Sequence, residues 1–263
     1  MGREFDTDTI EKKPNTTTNK KFGRDIAYLT VIETSKLKIL SNHSHIHFRC
    51  ACLCANSCIT IEKTYSEDED QKIQNRKFND VQAYATGSIM SIVAYLESTI
   101  NEFFSDCLTK TGNYQNYKGL GDDIIENLNN YWNQINKKGK YISILEKYLE
   151  AYKQIKGKEY QYDQNILDLI RLRNKLVHYE PKWQFTGQNA DDPYKIKGLE
   201  GKFPPNKFRE NTPNPFFPDK CLGAGCALWA IDISEKFVKE FFTNINVNPT
   251  LYNIGSIKVE IFG

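Results

Sequence analysis

The 263-residue chain has no run approaching the roughly 20 uninterrupted apolar residues that a membrane-crossing helix needs, and its N-terminal stretch has no apolar signal core. A soluble, cytoplasmic protein without membrane partners is expected. It also lacks a strong charge of either sign. Thirty-five Lys and Arg oppose 33 Asp and Glu, a formal net charge of +2, so tight nonspecific binding to long nucleic acid is not expected, whereas a short or structured RNA stays within reach. Cys-x-x-Cys spacing is missing too. Seven cysteines, an odd number scattered through a chain of this size, point to reduced thiols and not to a disulfide framework.

The one dense group of soft ligands is His43, His45 and His47 followed by Cys50, Cys52, Cys54 and Cys58. On a helix, Cys50, Cys54 and Cys58 fall on one stripe whose ends lie roughly 12 Å apart, too far for one ion. The expectation is that these cysteines act as small apolar residues on a tight helix-packing face with Ala51 and Ala55, and no metal site is assigned. Cys221 and Cys226 receive the same reading.

Hydrophobic periodicity of three and four dominates the chain, so the fold class is all-α. Residues 1–21 form a polar Thr-, Asn- and Lys-rich tract read as a flexible arm. From Arg24 to about Tyr65 the sequence supports one long helix, or two joined near Ser41 to Ser44. Ser66 to Asn75 reads as a charged linker. Asp80 to about Leu108 is the clearest helix, with Ile89, Ile92, Val93, Leu96, Ile100 and Phe103 in register. Shorter helices follow at Asp122 to about Ile135, Ile142 to about Ile155, and Tyr162 to His178. Pro181 to Lys220 holds most of the prolines among Trp183, Phe185, Phe203, Phe208, Phe216 and Phe217. Those rings suit base stacking or, more simply, anchoring of the loop to the helical body. A last helix, Gly223 to about Asn244, sets Ala227, Trp229, Ala230, Ile233, Phe237 and Phe241 near one stripe as core against the Asp80 helix. Residues 22–245 are thus one helical domain and 246–263 a tail, in which Ser256 to Phe262 alternates like a short strand.

Function is concentrated in Arg171-Leu-Arg-Asn-Lys-Leu-Val-His178-Tyr-Glu-Pro181. Ile166, Leu169, Ile170 and Val177 give the preceding helix an apolar side, and Pro181 stops it. Arg171, Asn174 and His178 share one face, with Arg173 a little round the cylinder. A permanently charged guanidinium beside an imidazole that titrates near neutrality suits phosphodiester cleavage. Ordinary C-terminal helix capping by basic and amide side chains is the plain alternative.

At Arg173-Asn174-Lys175-Leu176-Val177-His178 the chain resembles the HEPN superfamily, whose mark is an Arg, four to six residues, then a His, commonly with Asn after the Arg. Arg171 to His178 also satisfies the longer form; the Arg-Asn pair favours Arg173. The resemblance implies an all-helical bundle, here with an N-terminal helical extension and a long Pro/aromatic-rich loop before the last helix. It implies a homodimer that joins two motifs into a metal-independent endoribonuclease needing no cofactor. Arg173 would hold the scissile phosphate, Asn174 would orient it, and His178 would transfer protons. Arg171 and Tyr179 are further substrate-contact candidates. Some relatives carry a Tyr two residues after the His for nucleotide transfer; here Glu180 stands there, against that variant. Glu97, Asn101 and Glu102 are either polar supports of the site or ordinary solubilising residues. The rival reading is a noncatalytic helical module binding a partner protein or nucleotide. A stress or phage-defence toxin restrained by an antitoxin or regulatory partner is a third.

Overall fold

The computed structural model of the protein describes residues 28–31, 37–40, 42–109, 117–138, 142–180 and 198–248. The chain divides into two units, 1–41 and 42–263. In the first, β1 (Tyr28–Val31) and β2 (Leu37–Leu40) pair antiparallel, Tyr28 opposite Leu40 and Val31 opposite Leu37. This corrects the expected helix from Arg24: Thr30 and Val31 are β-branched, and Leu37 and Ile39 alternate with Lys38, a pattern that fits a pleated strand better than a helix. The rest of the chain is all-α among the described residues.

The second unit is built on a hairpin of α1 (Ser44–Lys63) and α2 (Gln71–Thr109). With 39 residues, α2 runs for about 58 Å. It starts nine residues before the expected start at Asp80, because Asp70 accepts bonds from the amides of Lys72 at 2.9 Å and Ile73 at 3.3 Å and so caps a first turn that buries nothing. The supposed linker is therefore only the tight connection at 64–70. The two helices approach closely because their facing residues are small: Ala51, Ala55, Cys58, Ala85 and Ser88 are fully buried, and the Ser88 hydroxyl donates to the Ala51 carbonyl at 3.0 Å. Ile89, Ile92, Val93, Leu96, Ile100 and Phe103 form the buried spine read from the sequence.

Around that spine pack α3 (Asp122–Lys138), α4 (Ile144–Lys156), α5 (Gln164–Val177) and α6 (Ala224–Asn244). Phe104 stacks on Trp132 of α3 at 4.8 Å. Tyr148 of α4 donates to the Leu96 carbonyl at 2.8 Å and meets Phe237 and Phe241 of α6 edge-on. A complete capping box at Ser143 and Glu146 fixes the start of α4, and Gly157 in the left-handed region ends it.

Carboxylates fasten the helix starts. Glu102 of α2 accepts from the amides of His43 and Ser44, at 2.7 and 2.8 Å, and from the Ser44 hydroxyl at 2.7 Å, closing the first turn of α1. Glu62, near the far end of α1, accepts from the Ala224 amide at 3.0 Å and does the same for α6. The segment 198–222 is pinned by its rings, with Phe203, Phe208 and Phe217 buried, and by buried Asn206, whose amide nitrogen donates to the Leu222 carbonyl at 2.7 Å. These aromatics anchor the segment. Trp183 and Phe185, the arm 1–21 and the strand-like 256–262 lie outside the described residues.

Candidate functional site

The site is made by α5. Asp163 caps it, accepting from the Asn165 amide at 2.9 Å, and buried Ile166, Asp168, Leu169 and Leu172 press it into the bundle. Those inward positions turn the other side out. Arg171, Asn174, Val177 and His178 are exposed, and Arg173 is half-buried at the flank. The helix ends at His178, whose amide donates to the Asn174 carbonyl at 2.9 Å. That bond sets the imidazole one turn beyond the Asn174 amide on the same face. Tyr179 follows it, 46% exposed. Among the described residues no carboxylate forms an ion pair with Arg173.

Arg171 is held differently from Arg173. Its guanidinium leans back on Asp168 at 3.4 Å, a long contact for a group more than half exposed. Asp168 is the buried polar residue that sequence reasoning passed over. Besides Arg171, its carboxylate takes the Lys202 ammonium at 2.7 Å and the Gln164 amide at 3.1 Å. Burial raises the Asp168 carboxyl, but the hydrogen bonds from Lys202 and Gln164, with the charges of Lys202 and Arg171, outweigh it and hold the group below the ordinary carboxylate range. The same ammonium bonds Asn165 and lies 5.9 Å over the Trp229 ring, so one lysine ties α5 to α6. An acid three residues before Arg171 was legible. Its partner 34 residues downstream was not.

Glu97, Asn101 and Glu102 are committed elsewhere. Lys147 of α4 donates to Glu97 at 2.9 Å and Asn101 at 3.0 Å, and Glu102 closes α1. Their role in these contacts is to join α2 to its neighbours. Trp229, expected in the core stripe of α6, is instead half-buried on the wall of an open groove of about 320 Å³ between α6 and the N-terminal turn of α5. The other residues of that stripe are buried.

The His- and Cys-rich segment is α1 itself. Cys52 and Cys58 are buried, and Cys54 is half-buried near Gly87 of α2, where an added Cβ would lie 3.2 Å from its sulfur. Burial, with the nearby Glu62 and Cys54, pushes the Cys58 thiol up to about 12. A thiol so placed packs and does not react. Among the described residues no group of three or more His, Cys, Asp or Glu is arranged to hold a metal ion, and no helix is long and apolar enough to cross a membrane. Neither a protein-family description, nor a curated protein, nor a solved structure matches the chain.

Proposed function

We propose that the protein is a metal-independent endoribonuclease of HEPN type, completed by a second copy of the chain, with Arg173, Asn174 and His178 as the reacting set. The observation that carries this reading is the display of the motif. The amide and imidazole stand in solvent at the end of a helix whose opposite side is embedded, free to meet a phosphate or a second motif.

In this reaction one His178 takes the proton of a ribose 2′-hydroxyl, whose oxygen bonds to the adjacent phosphorus. The bond from phosphorus to the 5′-oxygen breaks, and the second copy's His178 protonates the departing oxygen, leaving a cyclic phosphate. Two Arg173 guanidinium groups neutralise the charge that develops on phosphorus, and Asn174 donates to a non-bridging oxygen. One imidazole cannot easily serve both proton transfers, which makes the twofold assembly a functional requirement. As a cytoplasmic effector of stress or phage defence, such an enzyme would be restrained by an antitoxin or regulatory partner.

The test is cleavage of total RNA in the presence of chelator by the purified protein, His178→Ala and Arg173→Ala. Loss of about 10²-fold or more in each variant is expected from removing an acid/base group or a transition-state cation. Equal cleavage by all three, or a strict monomer under reaction conditions, overturns the proposal. Val177 and Tyr179, 47% and 46% exposed beside His178, favour a second reading in which the same face is a noncatalytic docking surface for a protein or nucleotide. In that case partner binding survives His178→Ala and fails in Val177→Asp.

A further inference from the structure

The groove between α6 and the start of α5 lies well away from the motif, since Asn165 and His178 are 13 residues apart in sequence, about 20 Å along the helix. Its floor is apolar: Ile233 and Phe237 are buried, and Trp229 is half-buried at one wall with the Phe203 ring 5.2 Å away. Its rim is charged, with Asp163, Asp232 and Glu240 opposing Lys202 and Lys236.

Both ammonium groups are already matched. Lys202 sits on Asp168 at 2.7 Å, and Lys236 on Asp232 at 2.7 Å. Asp163 caps its own helix, and Glu240 forms no ion pair among the described residues. The field left over the cavity is therefore negative. Such a field disfavours phosphates, and a cation with a hydrocarbon stem suits both features at once: methylenes on Ile233 and Phe237, the charged ends near Asp163 and Glu240. Lys202 already illustrates the arrangement, its ammonium 5.9 Å over Trp229 and bonded to a carboxylate.

We propose that this groove is a binding site for a small aliphatic polyamine, seated along α6 between Trp229 and Glu240. The site is separate from the motif and does not depend on the nuclease reading.

The measurement is calorimetric titration of the full chain with spermidine at low ionic strength, with butane-1,4-diol as the uncharged counterpart and a blocked lysine-containing peptide in parallel. Spermidine saturates one site and the diol gives no heat. Glu240→Gln, an exposed and conservative change, weakens binding roughly twofold to fivefold. Lys236→Ala acts in the opposite direction, tightening binding about twofold to fivefold by releasing Asp232, an effect that loss of structure would not produce. Absence of saturable binding, equal affinity in all variants, or tighter binding of the peptide than of spermidine each overturns the proposal.

Discussion

Substituting alanine at Gly225 sets two known effects against each other. Gly225 lies in the first turn of α6, where helix propensity alone favours Ala by about 1 kcal/mol. The added Cβ, however, would fall on the carbonyl oxygen of Pro204, with the proline nitrogen and Cδ each at 3.1 Å. These are backbone and ring atoms that cannot rotate away. Asn206, buried and bonded to Leu222 and Phe208, holds the segment from behind. Overpacking against such a wall costs roughly 3 kcal/mol, the upper part of the usual range, so Gly225→Ala should lose about 2 kcal/mol net. In a chain of this size that corresponds to a melting point lower by roughly 4 to 8 °C. Gly119, with nothing within 4 Å of its hypothetical Cβ, is the control and should change stability by less than about 0.5 kcal/mol. Urea and thermal unfolding followed by circular dichroism read both. A Gly225→Ala protein as stable as the parent would refute the claim that the loop and helix touch through backbone there.

Asp168→Asn should flatten the acid limb of the stability profile. The folded carboxyl is held below its ordinary value, so its contribution is complete above the unfolded value of about 4 and is lost as pH falls through the lower folded value; unfolding free energies from neutral pH down to about pH 3 measure it, and parallel profiles for both proteins would contradict the assignment. Glu102→Gln keeps the shape but removes the charge that three donors share on α1 and should cost about 1 to 2 kcal/mol in urea titration. His178→Ala should leave stability within about 0.5 kcal/mol because the side chain is exposed; a larger loss in thermal unfolding would show that the imidazole serves the fold.

The sequence announces α5 because Ile166 and Leu169 mark its inward side and Pro181 its stop, but Val177, expected on the apolar side, is exposed beside His178, since spacing alone does not say where the neighbouring helices end. The spine of α2 was equally plain. Its first nine residues were not, since a polar turn held by Asp70 has no apolar period to read. The strands Tyr28–Val31 and Leu37–Leu40 fall where the sequence is expected to be helical, although their β-branched residues carry the signal. The Lys202–Asp168 contact joins a loop to a helix without any repeating pattern. Spacing places Trp229 in the core stripe of α6, because it does not say which edge of a stripe another helix leaves uncovered.

The two acids that close helix starts, Glu102 below α1 and Glu62 near its top, make α1 a strut bolted at each end. Ser44 and Glu62 are 18 positions apart, which sets the bolts about 27 Å apart. Since one bolt is threaded into α2 and the other into α6, neither of those helices can slide along α1 without shearing a charged bond, and the bundle is stiffened along its length by contacts that involve only its tips.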